Sequence, residues 1–155
     1  MIRNAVLISI LVFLAGCAGN AKPELTPLEL QALQTRELET DKEVAFSSVM
    51  SVFQDLGYTV ESADKETGFI TAFSASDSHR DWLLTGNRYT TQTRATAFVE
   101  SVSTELTRVR LNFLTGTEAS TWYGQKSKQD RQILDPLIYQ TAFEKIETAV
   151  FIRSE

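Results

Sequence analysis

The apolar residues of this chain change period at Gly57, and that switch limits the fold more than any other feature. Before it, Ala45, Val49, Val52, Phe53 and Leu56 recur at helical spacing, with Ser47, Ser48, Gln54 and Asp55 on the other faces. Thr40 or Asp41 can cap this helix, and Glu43 sets an acid near its positive dipole end. Gly57 follows the last apolar position, where a left-handed cap belongs. After it, residues 58–62 alternate and are β-prone. Asp64-Lys65-Glu66-Thr67-Gly68 has the aspartate and glycine of a turn, and residues 69–73 continue as a second strand. A helix that hands directly to a hairpin requires a sheet with a helix packed on it.

The flanking segments extend this pattern. Residues 32–38 read as a first strand. Residues 91–103 are rich in Thr, Val and Phe and read as another, with a turn around Glu105. Residues 107–115 alternate, placing Val109, Leu111 and Phe113 on one side and Arg108, Arg110 and Asn112 on the other. That is a half-buried antiparallel strand with a wet face, where Arg94 and Glu100 would join a solvated charge ladder. Residues 74–90 are polar around Trp82, Leu83 and Leu84 and read as a long connection with a helical turn at Trp82. Residues 116–128 read as irregular and hold Trp122 and Tyr123. Asp135 and Pro136 open a last helix with a stripe of Tyr139, Phe143, Ile146 and Val150. The resulting order, β-α-β-β-β-β-α, predicts an α+β fold: an antiparallel sheet whose apolar face is covered by both helices. Phe46, Phe53, Phe69, Phe73, Phe113 and Phe143 are the expected core fillers, enough to favour a filled core over a cavity.

The N-terminus carries a different signal. Arg3 precedes an apolar run at residues 5–13, and small residues Ala15 and Gly16 precede Cys17. The run is too short to cross roughly 30 Å of hydrocarbon as a permanent helix. It has the layout of a cleaved secretory signal. Cys17 is the only cysteine, so no disulfide can form within the chain and the core must carry the fold. Leu14-Ala15-Gly16-Cys17 resembles the lipobox of bacterial lipoproteins. That resemblance implies cleavage before Cys17, a diacylglycerol on its thiol and a further acyl chain on its amino group. Two or more chains hold a protein to a membrane where one leaves readily. Ala18, in place of the aspartate of the family's inner-membrane retention signal, implies the outer membrane. On this reading residues 1–16 are a signal peptide. Residues 17–29, with Gly19, Pro23 and Pro27, are the lipidated cysteine and a flexible tether, and residues 30–155 form one domain.

A second likeness lies in the middle of the chain. The run Phe53-Gln54-Asp55-Leu56-Gly57-Tyr58, followed by Val60, Asp64, Gly68 and Ile70, resembles the globular domains of the C-component lipoprotein of the outer-membrane β-barrel assembly machinery. Related proteobacterial lipoproteins share the pattern: a helix ending in leucine-glycine-aromatic, a strand, an Asp-x-x-x-Gly turn and a second strand. The resemblance implies a helix-grip fold, an antiparallel sheet wrapped around a long C-terminal helix. The chain has room for one such domain rather than two, and it lacks the long N-terminal stretch that contacts partners there.

Composition narrows the function. The net charge is −5, and loss of Arg3 with the signal would make it one unit more negative. Nucleic acid and anionic lipid both want a basic face, so neither is expected as a partner. His79 is the only histidine. It lies between Asp77 and Asp81, too local for a triad whose members come from separate elements, and it cannot make a zinc site alone. Asp64, Glu66, Asp77 and Asp81 do not form a calcium loop, and neither a phosphate-binding glycine loop nor a Gly-x-Ser-x-Gly elbow is present. The sequence thus predicts no enzyme, cofactor or metal. It predicts a lipid-anchored envelope protein facing the periplasm, an accessory or assembly factor that uses Trp82, Trp122 and Tyr123, common interface anchors, to bind other envelope proteins. The alternatives are a binding module for a lipid or hydrophobic small molecule and, last, an enzyme with a carboxylate pair in a cleft.

Overall fold

The structure, a computed structural model, describes residues 25–81 and 86–154. Among the described residues the fold is α+β: a seven-stranded antiparallel sheet with three helices. The elements are α1 (Pro27–Gln34), β1 (Thr35–Leu38), α2 (Lys42–Asp55), β2 (Tyr58–Asp64), β3 (Phe69–Ser74), β4 (Asp77–Asp81), β5 (Asn87–Ser103), β6 (Leu106–Ser120), β7 (Lys126–Gln132) and α3 (Pro136–Ser154).

The helix-to-hairpin joint forms as the sequence predicts. The Asp41 side chain accepts from Val44 N–H at 2.9 Å, and Gly57 takes φ +82° after α2. In the turn, the Thr67 side chain and then the Glu66 and Thr67 N–H groups, all hydrogen-bonded to Asp64, hold its carboxyl below the usual carboxylate range. Gly68 cannot be replaced cheaply. Its φ is +81°, and a Cβ there would lie 2.0 Å from the Val99 carbonyl oxygen. Val99 N–H donates to the Gly68 carbonyl at 2.9 Å, so the tight turn docks directly on β5.

Two strands run the length of the sheet. β5 pairs with β6 from Arg88↔Ser120 to Ser103↔Leu106. Each is then flanked by two shorter strands placed end to end. β5 pairs with β3 through Arg94–Phe98 partners and with β4 through residues 87–91. β6 pairs with β1 at residues 107–110 and with β7 at residues 114–120. The sheet therefore has two halves. One, in the order β1-β6-β5-β3-β2, is backed by α2 and α3. The other, β4-β5-β6-β7, is an arm that extends roughly 20 Å along the strands.

The core lies under the backed half. Phe53, Phe113, Tyr139 and Phe143 are fully buried, with Ile70, Leu111, Val99, Val109 and Ile146 around them. Phe113 meets Tyr139 edge-on at 5.2 Å and Phe53 at 6.4 Å. Tyr139 also fills a break in the ladder. β1 stops opposite Arg110 and β7 starts opposite Leu114, leaving Phe113 between them without a strand partner on that edge, though it pairs with Ala95 on the other. The Tyr139 hydroxyl accepts from Phe113 N–H at 3.5 Å and donates to the Ile133 carbonyl at 2.9 Å, while Ile133 N–H returns to the Phe113 carbonyl. Buried backbone groups that would otherwise be orphaned are thus paired. Thr107, buried at the far end of β6, donates to the Thr40 carbonyl at 2.8 Å.

Four sequence readings change. Residues 32–34 belong to a helix, not a strand, and that helix starts at Pro27, inside the expected tether. Thr26 and Glu29 form a reciprocal capping box around Pro27, so the chain is ordered by its own local hydrogen bonds here. The polar stretch after Ser74 contains β4, and the segment expected to be irregular contains the end of β6 and all of β7. Phe69 and Phe73 are not core residues. Ile70 and Ala72 point inward from β3, so the alternate positions face out; Phe69, 57% exposed, packs its ring on Phe98 at 4.7 Å.

Candidate functional site

The arm is where side chains capable of recognition collect. Beyond Ala95 and Phe113 the inward-facing positions of β5 and β6 become Thr93, Thr91 and Tyr89 opposite Thr115, Thr117 and Ala119, none of them buried. A sheet face of this composition has no apolar layer to bury against a helix. The flanking strands β4 and β7 bring Asp77, His79 and Arg80 on one side and Lys126, Lys128, Asp130 and Arg131 on the other. Charged side chains on both edges discourage pairing with another sheet.

The tip is apolar. β6 and β7 are joined by a turn in which Thr121 N–H donates to the Gln125 carbonyl and Gly124 takes φ +83°. Trp122 and Tyr123 occupy this turn with ring centroids 3.8 Å apart. They are 72% and 73% exposed, so they do not fold back over the sheet. Two large rings held together in water at a turn form a contact surface already ordered before any partner arrives.

A second feature lies on the outer face, away from the helices. Phe73, Gln92, Arg94, Glu118, Lys128 and Asp130 line a cleft of 130 Å3. Gly116 forms its floor, where a Cβ would stand 3.0 Å from Asp130 Oδ1. The Arg94 guanidinium lies 5.3 Å from the centre of the Phe73 ring. Its Nε–H is buried with no hydrogen-bond partner, an arrangement that costs about 1–3 kcal/mol for a typical buried donor. Farther along the same face part of the expected charge ladder is present, centred on Arg108, with no ion pair to Arg94 or Arg110 among the described residues. Arg108 bridges Glu37 at 2.7 Å and Glu100 at 3.1 Å, and these bonds hold its guanidinium above its ordinary pKa.

Of the residues the sequence singles out, Trp122 and Tyr123 come together at the tip, while Cys17 and Trp82 lie outside the described residues. His79 stands exposed on β4 between Asp77 and Asp81, opposite Tyr89. Among the described residues no group of three or more His, Cys, Asp or Glu is placed to hold a metal ion. No helix among them is long and apolar enough to cross a membrane. Sequence reasoning missed the Arg94 cleft because its residues come from β3, β5, β6 and β7, and β7 itself was not foreseen.

No protein-family model matches this chain, and no curated protein matches it in sequence.

Proposed function

We propose that this chain is a non-enzymatic lipoprotein, anchored to the outer membrane by lipid on Cys17 and facing the periplasm, that docks onto another envelope protein as an accessory or assembly factor. The observation that carries the reading is the exposed Trp122–Tyr123 pair at the tip of a sheet arm that no helix among the described residues covers. Aromatic anchors that already stand against each other at a hydrogen-bonded turn have less freedom to lose when a partner buries them. The lipobox resemblance at residues 14–17 supports the anchor, and the helix-to-hairpin likeness at residues 53–70 supports kinship with envelope assembly lipoproteins. The alternative, a module for a lipid or hydrophobic small molecule, draws no support from a core filled by Phe53, Phe113, Tyr139 and Phe143.

The test is site-specific photocross-linking in intact cells. A photoreactive residue at position 122 is expected to capture one abundant envelope protein. The capture should vanish when Cys17→Ser removes the lipid site, and Trp122→Ala should weaken co-purification without unfolding the domain. Recovery of nothing above the Cys17→Ser control would overturn the docking reading.

A further inference from the structure

We propose that the outer-face cleft around Arg94 binds a small zwitterion of the α-amino-acid class, its carboxylate on the Arg94 guanidinium and its ammonium between Asp130 and Glu118. The inference is independent of the docking surface at the arm tip and rests on three observations.

The first is a cation with no anion. Arg94 forms no ion pair among the described residues, although Glu118 and Asp130 line the same cleft. It is held instead against the Phe73 ring, and its Nε–H is buried and unpartnered. Arg108, on the same face, takes two carboxylates. Arg94 lines the hollow with no carboxylate among the described residues paired to it, and a guanidinium's fork of donors matches a planar carboxylate.

The second is how the hollow is made. Arg94 is opposite Leu114, and Gln92 is opposite Gly116, which is in turn opposite Asp130. Gly116 contributes no side chain at the centre, so a gap opens between the arginine on β5 and the aspartate on β7. Any side chain at Gly116 would close it, since even a Cβ meets Asp130 Oδ1 at 3.0 Å. The space is 130 Å3. A cavity of about 150 Å3 accepts benzene, so a ligand of roughly six non-hydrogen atoms fits, the size of alanine.

The third is the balance of charge. Arg94 and Lys128 stand against Glu118 and Asp130. A phosphate would meet two carboxylates and a divalent cation would meet two cations. A molecule with one charge of each sign, close together, meets complementary groups at both ends. Phe73 and Leu114 leave an apolar wall for a short side chain.

The experiment uses the full-length chain purified in detergent, with L-alanine, acetate and methylamine as separate probes. Binding is read from the Arg94 Nε–H resonance and from calorimetry. Alanine is expected to saturate the site, with acetate and methylamine each at least about tenfold weaker, because each satisfies one end only. Arg94→Gln and Gly116→Ala should each weaken alanine binding by about tenfold or more while leaving the thermal midpoint near that of the parent. Gly116 does not use a left-handed backbone, so alanine is compatible with its conformation. If Gly116→Ala nonetheless lowers the midpoint, Arg94→Gln and the half-ligand comparison still decide. Failure of alanine to saturate, equal affinity for acetate and alanine, or unchanged binding by Arg94→Gln would each overturn the proposal.

Discussion

The same two strands, β5 and β6, run through a half of the sheet that is backed by helices and a half that is not. In the backed half their inward positions are Ala95, Ala97, Val99, Val109, Leu111 and Phe113, all buried. In the arm the equivalent positions are threonines, Tyr89 and Ala119, partly wet on both faces. Hydrogen-bonded pairing is continuous across the boundary, so the ladder alone does not divide the halves. What divides them is the layer of Phe53, Tyr139, Phe143 and Ile146 supplied by α2 and α3. Stability is concentrated under the helices, and the arm is free to carry side chains chosen for other purposes.

Substitutions sharpen this contrast. Phe113→Ala, which removes the ring on which Phe53, Tyr58 and Tyr139 converge, should lower unfolding free energy by about 3–5 kcal/mol in a denaturant titration. A loss below about 1 kcal/mol would mean that the backed half does not hold the core. Tyr139→Phe keeps the ring but leaves Phe113 N–H and the Ile133 carbonyl unpaired; the expected loss is about 1–3 kcal/mol, with faster amide exchange at Phe113. At the tip, Trp122→Ala should change stability by less than about 0.5 kcal/mol, as exposed substitutions do. A large loss there would show that the arm bears on the core after all.

A smaller effect concerns pH. Tyr58 is half-buried beside Phe53 and Phe113, and burial pushes its phenol above the ordinary value. The neutral form is favoured in the fold, so its contribution is fully present below pH about 10 and is lost as pH rises through the raised value. The denaturation midpoint should hold up to pH about 10 and fall from there to the raised value, and Tyr58→Phe should lessen the fall.

The contrast between the halves also explains what could be read from the sequence. Burial writes a period into the chain, and where α2 and α3 impose it the elements are legible: Ala45 to Leu56 at helical spacing, Val109, Leu111 and Phe113 alternating, Tyr139 to Val150 as a stripe. β4 (DSHRD) and β7 (KSKQDRQ) bury neither face, so neither carries a period, and only their register with β5 and β6 makes them strands. The first helix was legible in a different way. Thr26-Pro27-Leu28-Glu29 spells a capping box with proline at the first helical position, a signal masked by reading the prolines as tether. At the candidate sites, Trp122 and Tyr123 stood out as large rings in a polar segment. Arg94 and Gly116 did not, because their meaning lies in which residues stand across from them.

The pairing pattern has a kinetic corollary. Most neighbours in the sheet are also neighbours along the chain, so hairpins such as β2–β3 and β5–β6 can zip from their own turns. β3–β5 steps over β4 alone, but β1 is the far exception: 71 residues separate Glu37 from its partner Arg108. Loop closure of that length makes β1 the last strand to lock. A chain that emerges N-terminus first holds β1 open, with Leu38 uncovered, until β6 has followed.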